Sequence, residues 1–347
     1  CSRRNSASAG QAKQLLMLIL GIETSCDETA CSVVENGVNI LSNLTATSAG
    51  IHARTGGVIP EAASRKQIEA IIPVIDLALK EAKLSSGQID TLAVTSGPGL
   101  IGSLLVGVET AKTLAFLWKK AIIPVNHLVG HIYANWLIKE LKDRKTKKPK
   151  NSSGFLVQSS SFPQFPALAL VVSGGHTDLV LMKDHGNLEW IGGTRDDAAG
   201  EAFDKTARLL GLPYPGGPNL SKIADDYIKK HPLEKLNLFP RPMVHEDNFD
   251  WSFSGLKTAV LNEVKKASGN DSAHVKLSDY EKFFVSGKSK SEIPKLAAEI
   301  QEAIVDSLIK KSVKAIFKYK HKSFLLAGCV AANSRLREKF QKQIASD

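Results

Sequence analysis

The sequence predicts an α/β protein with a duplicated architecture, in which two lobes enclose a cleft. Two kinds of unit each occur once in either half of the 347 residues. The first, a strand, a polar turn and a second strand, is found at residues 17–34 and 167–182. The second, a strand, a Gly-bearing loop and a helix, is found at residues 91–112 and 323–340. Recurrence of both units indicates a duplication, and chance similarity between common α/β patterns is the alternative.

The composition is typical of a globular enzyme, with 43% hydrophobic and 23% charged residues. A net charge of +10 favours a polyanionic partner such as RNA without proving one. The four cysteines contain no CxxC pair, so we expect a reducing compartment, the cytoplasm or alternatively the mitochondrial matrix. The apolar run at residues 15–22 is too short to span a bilayer, and no membrane partner is expected.

Patterns along the chain predict four segments. Residues 1–16, which contain no acid, are interpreted as a targeting remnant or an added prefix. Residues 17–138 and 167–347 form the two predicted lobes, and the Lys-, Ser- and Pro-rich residues 139–166 form a loop between them. The basic run at 139–150 is either solvated or an RNA contact, in which case neutralising its lysines should flatten the salt dependence of binding.

Two histidines one helical turn apart, His127 and His131, follow Pro124. Residues four apart share a face of a helix, so both rings could offer nitrogen lone pairs to one metal ion. Two ordinary, partly buried histidines remain the alternative for so short a motif.

Glycine-rich turns predict a nucleotide site. The sequence Ser173 to Thr177 follows a strand, and its glycines let backbone N–H groups approach an anion, although a plain hairpin turn has the same pattern. Asp204 could accept ribose hydroxyls, and the Gly216-Gly217 turn could lie against a base or sugar. Neither a Walker A nor a Rossmann motif is present.

Eight motifs occur in the order of one known family. They are GIETSCDETA, SGPGLIGSLLVG, NHLVGH, VVSGGHT, DDAAGEAFDK, YPGGP, SFSGLKTAV and GCVAANSRLR. Over residues 17–347 the chain resembles the tRNA N6-adenosine threonylcarbamoyltransferase family. The resemblance implies a duplicated actin/Hsp70/sugar-kinase-like (ASKHA) fold with a central nucleotide cleft. It also implies transfer of threonylcarbamoyl from threonylcarbamoyl-AMP to N6 of adenosine 37 in tRNAs that read codons starting with A.

The resemblance implies roles for particular residues. His127 and His131 would bind one Fe2+ per subunit, with Zn2+ as the alternative, and Asp27 and Glu28 would be catalytic acids of the cleft, positioning substrate or taking a proton. The implied substrate and nucleotide contacts are Val171, Val172, Ser173, Gly174, Gly175, Asp204, Gly217 and Asn333. The implied partners are tRNA, a paralogous subunit of the same fold and a small P-loop ATPase, or a second copy of the chain if the protein is organellar.

Three departures from the family pattern stand out. Val171 replaces the tyrosine of the archaeal branch, which places the chain in the bacterial or organellar branch. The EAASR motif usually continues into a histidine, whereas Lys66 and Gln67 follow it here. The third metal ligand of the family, an aspartate, is expected beyond residue 347, so the sequence is interpreted as C-terminally truncated and we expect weak metal retention.

Two other functions are considered. A zinc endopeptidase of the HExxH type needs a glutamate after its first histidine, but Leu128 occupies that position. A non-catalytic, actin-like ATP-binding scaffold would keep the glycine-rich turn and Asp204 but would not need the histidine pair.

Overall fold

The computed structural model describes residues 16–48, 59–139, 162–268 and 292–345. Its strands are β1 Leu18–Glu23, β2 Glu28–Glu35, β3 Asn39–Thr47, β4 Thr91–Gly97, β5 Ala121–Asn126, β6 Ile138–Lys139, β7 Ala167–Val172, β8 Thr177–Asp184, β9 Asn187–Gly193 and β10 Ser323–Ala327. Its α-helices are α1 Pro60–Ala82, α2 Ile101–Trp118, α3 His127–Tyr133, α4 Ala199–Leu209, α5 Gly216–Lys230, α6 Ser254–Ser268, α7 Ile293–Lys318 and α8 Ser334–Ala345. Nearly all of the prefix and of the basic run lies outside the described residues, and the predictions about them stay predictions.

The strands form two sheets, and the four strands of the second repeat the order of the central four strands of the first, β4-β1-β2-β3. The first sheet has the order β5-β4-β1-β2-β3-β6 and the second has the order β10-β7-β8-β9. Strand β1 pairs antiparallel with β2 and parallel with β4, and β7 pairs in the same two ways with β8 and β10. Since α2 follows β4 and α8 follows β10, both repeated units are observed, and the predicted duplication is confirmed.

Local sequence signals explain where the long helices begin and end. Helix α1 starts at Pro60, whose missing N–H costs little in a first turn, and is followed by Lys83 in the left-handed conformation with φ of 59°. Helix α7 likewise has Pro294 in its first turn. Proline also occurs within β5, where Pro124 is tolerated because β5 is an edge strand of the first sheet.

The helix that carries the two histidines lies at the junction of the sheets. Helix α3 continues directly from β5 of the first sheet, yet its buried Leu128 and Ile132 pack on Ala169 and Val171 of β7. The other side of β7, including Leu170, packs on helices of the second half. Strand β7 is therefore buried along its whole length, and α3, which continues from the first sheet, packs on the second.

Candidate functional site

The first turn of α3 brings the two predicted metal ligands together. The side chain of Asn126 caps the helix by accepting the N–H groups of Leu128 and Val129 at 2.9 and 3.2 Å. This cap fixes the backbone at His127, whose Nε2 atom lies 3.1 Å from Nε2 of His131. The spacing in the sequence predicted this pair, and the structure brings the two Nε2 atoms close enough to face one ligand.

A carboxylate that sequence reasoning missed orients the first imidazole. Nδ1 of His127 lies 3.1 Å from Oε2 of Glu23 and 3.1 Å from Oγ of Ser25. Glu23 also accepts the Thr95 hydroxyl at 2.5 Å and the Ser25 N–H at 2.5 Å. Burial opposes ionisation of Glu23, but the hydrogen bonds from His127, Ser25 and Thr95 outweigh it and lower its pKa to about 2. An ionised carboxylate can only accept, so Nδ1 carries the proton that faces Glu23, and in the neutral form of the ring the lone pair is on Nε2.

The neighbouring imidazoles are held neutral. Burial, and then the charge of His127, lowers the pKa of His131 to about 4. The ring of His176, which belongs to the glycine-rich turn before β8, lies 6.4 Å from the His127 ring between centroids. Burial and the charge of His127 lower the pKa of His176 as well. Neutral imidazoles offer the lone pairs that a metal requires, and rings from both halves of the chain face the same space.

Of the two predicted cleft acids, Asp27 ends the turn that follows β1 and Glu28 begins β2. Partial burial, and then the charges of Asp27 and Glu23, raises the pKa of Glu28. The loop before α2 packs closely on this turn, since the Leu100 N–H donates to the Ser25 carbonyl at 2.7 Å. A Cβ atom at Gly99 would lie only 2.5 Å from that carbonyl oxygen, so the glycine is needed for the close approach.

The glycine-rich turn after β7 is supported on one side and open on the other. Its closing bond runs from the Ser173 N–H to the His176 carbonyl at 2.8 Å, and Gly200 at the start of α4 donates to the Ser173 carbonyl at 3.1 Å. Added Cβ atoms at Gly174 or Gly175 would meet nothing within 4 Å. The turn thus leaves room for a ligand where the sequence predicts the phosphate.

The two predicted nucleoside residues are direct neighbours. The Gly217 N–H donates to Oδ1 of Asp204 at 2.8 Å. Burial raises the pKa of Asp204, although the N–H groups of Gly217 and Gly216 offset part of the rise. Burial, followed by the charges of Asp27 and Asp204, also raises the pKa of Tyr214 to about 12. Tyr214 was not predicted as a site residue.

The side chain of Asn333 contacts protein groups. Its amide NH2 donates to Oγ of Ser221 at 2.9 Å and to Oε1 of Gln301 at 3.0 Å, and its oxygen accepts the Leu336 N–H at 2.8 Å. This residue therefore caps α8, and its predicted contact with the adenylate stays a prediction.

Glu23, His176 and Tyr214 have different signals in the sequence. A glutamate at the end of an apolar strand, next to the polar turn that carries Asp27, is a signal that could have identified Glu23. His176 and Tyr214 each lie within a motif already singled out, VVSGGHT and YPGGP.

Comparison with known proteins supports the same identification. A family model described as tRNA N6-adenosine threonylcarbamoyltransferase matches residues 39–149 and 151–346. The chain belongs to this family. The protein of that name from Thermomicrobium roseum is 47% identical over 328 residues, covering 94% of this chain and 84% of that protein. The corresponding protein from Bacillus cereus is 45% identical over 328 residues, with 94% and 82% covered.

One solved structure supports the fold of this threonylcarbamoyltransferase-family chain. Component A of (R)-2-hydroxyglutaryl-CoA dehydratase from Acidaminococcus fermentans superposes with a TM-score of 0.52 at 12% identity, covering 95% of this chain and 89% of that one. With the repeated strand order of the two sheets, this confirms the duplicated ASKHA fold. The predicted domain boundaries and the roles of the individual site residues stay predictions.

Proposed function

We propose that this chain transfers threonylcarbamoyl from threonylcarbamoyl-AMP to N6 of adenosine 37 in tRNAs that read codons starting with A. Membership of the family supports the reaction. One observation supports the site: the paired Nε2 atoms of His127 and His131 lie where rings and turns of both halves face each other. In this reading the glycine-rich turn holds the phosphate, and Asp204 with Gly217 holds the nucleoside.

The histidine pair fits a divalent metal ion. Two imidazole nitrogens bound to one ion in tetrahedral geometry lie about 3.3 Å apart, since each bond is about 2.0 Å long. The observed separation of 3.1 Å is close to this value, and Glu23 supplies the carboxylate partner typical of metal-binding histidines. Within the described parts of the chain no group of three or more His, Cys, Asp or Glu residues is arranged for a metal. The pair would hold Fe2+ or Zn2+, and the aspartate that the family resemblance implies as third ligand stays a prediction. When bound, such an ion would act as a Lewis acid on the carbamoyl carbonyl.

The residues of the chain then have defined tasks in the transfer. The N6 nitrogen attacks the carbonyl carbon, the bond from that carbon to the phosphate oxygen breaks, AMP leaves and N6 loses one proton. Glu28 is the acid better suited to accept this proton, because its raised pKa makes its carboxylate a stronger base. The N–H groups of the glycine-rich turn would stabilise the charge on the departing phosphate.

A groove between α1 and α2 fits a protein partner. Its cavity volume is about 520 Å3, and its lining includes Ile72 and Leu105, which are 56% and 51% exposed. Exposed apolar patches of this kind are typical of protein–protein interfaces. This groove supports a protein partner, and the family resemblance implies that the partner is a paralogous subunit with a small P-loop ATPase, or a second copy of the chain.

Helix α2 is long and apolar enough to cross a membrane by length and composition alone. Helices of folded domains pass the same test. Here α2 packs on β4 and α1, and the hydrogen bond of Leu100 to the turn after β1 fixes its start. We therefore assign its exposed side to a protein partner.

The experiment that tests the function measures transfer of labelled threonine from threonylcarbamoyl-AMP to tRNA, with the nucleoside product identified by mass spectrometry. Assays with and without candidate partner proteins show whether the groove needs an occupant. His127→Ala should abolish transfer. His231→Ala changes an exposed histidine directly after α5 and should leave transfer unchanged. Normal transfer by His127→Ala would contradict the metal site, and no transfer under any condition would contradict the function.

A further inference from the structure

A buried amide holds the turn that carries the cleft acids. The side chain of Gln67, on α1, is 1% exposed. Its Nε2 atom donates to the carbonyls of Thr24, Cys26 and Glu28 at 3.3, 3.0 and 3.0 Å. The reverse orientation of the amide would place its oxygen against three carbonyl oxygens, none of which can donate, so Nε2 is the donor.

The oxygen atom of the Gln67 amide differs from its nitrogen. Oε1 of Gln67 is buried and has no hydrogen-bond partner among the residues that the structure describes. Buried polar atoms in folded proteins are usually paired, and an exception calls for a reason. The three contacts of Nε2 supply that reason, because the side chain can serve the turn only by burying its oxygen.

Every carbonyl of residues 24–28 is held by a donor. The Ser25 carbonyl accepts the Leu100 N–H at 2.7 Å, and the Asp27 carbonyl accepts Oγ of Ser48 at 2.6 Å. Gln67 accounts for the remaining three, which alternate with these two along the turn. The Gln67 side chain thus fixes the backbone on both sides of Asp27, at Cys26 and at Glu28.

We propose that Gln67 is a positioning residue for threonylcarbamoyl transfer, which sets the direction of the Asp27 and Glu28 side chains without touching substrate. The proposal rests on the proposed function for its catalytic consequence, but not for the contacts themselves. Gln67 is also one of the two residues that follow the EAASR motif here, where the family usually continues into a histidine. In both side chains Nε2 lies the same number of bonds beyond Cβ, so either can bring an N–H to this place.

The test compares four variants of the protein in complex with whichever partners support transfer. Gln67→Met keeps the length of the side chain but removes the donor, and Gln67→Asn keeps the amide but cannot reach the carbonyls. Gln67→His keeps one Nε2–H. Ile75→Val is the matched control, since Ile75 is buried on the same helix in the core of the first half and forms no hydrogen bond to the turn. Amide hydrogen exchange at residues 24–29, kcat and KM are measured for each.

Gln67→Met and Gln67→Asn should speed exchange in the turn and lower kcat by about tenfold to a hundredfold, with little change in KM, because the misplaced groups act in the transition state. Gln67→His should keep most of kcat, and Ile75→Val should match the unchanged protein. If Gln67→Met does not fold, Gln67→Asn decides the question. Normal exchange and normal kcat in either variant would overturn the proposal. Fast exchange combined with no transfer by the unchanged protein would refute the proposed function and leave the structural contact of Gln67 established.

Discussion

Replacing Glu23 by glutamine tests the orientation of the histidine pair and the contribution of a buried charge in one variant. The substitution keeps the shape of the side chain but removes the negative charge that accepts from His127, Ser25 and Thr95. Without a carboxylate at Nδ1, the His127 ring loses its preference for the tautomer with a free Nε2. Both the free energy of unfolding and the metal affinity should therefore fall.

The magnitude for stability follows from the pKa of Glu23, which is lowered from 4.5 to about 2. At about 1.4 kcal/mol per pH unit, this shift corresponds to about 3 kcal/mol. The Glu23 side chain is 36% exposed, so solvent screening reduces the expected contribution to about 1.5 kcal/mol. Because the folded pKa lies below the unfolded one, the stabilisation is complete above pH 4.5 and is lost as the pH falls towards about 2.

The assay is denaturant unfolding of metal-free protein at several pH values, followed by metal titration at neutral pH. Glu23→Gln should be less stable at pH 7 by about 1.5 kcal/mol, and the difference from the unchanged protein should shrink below pH 4.5. Its metal affinity should be about tenfold to a hundredfold weaker. Glu35→Gln is the control, since Glu35 pairs with Leu18 at the opposite end of β1. Equal stability and equal metal affinity in Glu23→Gln would refute this account of the site.

Three further substitutions separate the parts of the site. His131→Ala removes one of the two converging nitrogens, so its affinity for added metal, measured by titration, and its transfer activity should both fall below those of the unchanged protein, while its melting temperature shows that it still folds. Asp204→Asn should weaken binding of adenine nucleotides about tenfold, measured by calorimetry, because a neutral amide is a weaker partner for ribose hydroxyls and for Gly217; an unchanged affinity would remove Asp204 from the nucleoside site. Ile72→Asp places a charge in the groove between α1 and α2 and should abolish partner binding or self-association in sedimentation experiments, without changing metal content. Leu233→Asp, at a position 94% exposed outside the groove, should have no such effect.

Local sequence signals predicted the duplicated α/β architecture and the histidine pair, whereas the ASKHA fold was predicted from the family resemblance. Strand and helix periodicity, with glycines and prolines at element ends, predicted the duplicated units, and the spacing of His127 and His131 predicted that they share a helix face. The contact of Gln67 with the turn after β1 was not predictable in this way. It joins residues about forty positions apart through the packing of α1 on β2 and β3, and no periodic pattern encodes which buried position of a helix faces which loop.

The contact between Glu23 and His127 depends on the order and register of three parallel strands. Glu23, Thr95 and His127 lie at the carboxyl ends of β1, β4 and β5, which are neighbours in the first sheet. Strand β4 lies between the other two, and its Thr95 hydroxyl contacts Glu23 directly. An irregularity between Thr95 and Gly97, where Asn126 pairs with Gly97, sets how far β5 extends before α3 begins. A shift of one strand by one residue moves its side chains by about 3.3 Å. This distance is about as long as the hydrogen bond between Nδ1 of His127 and the Glu23 carboxylate, so a different register would break that bond. The geometry of the candidate metal site therefore depends on the strand order and register of the sheet, and the histidine motif alone does not determine either.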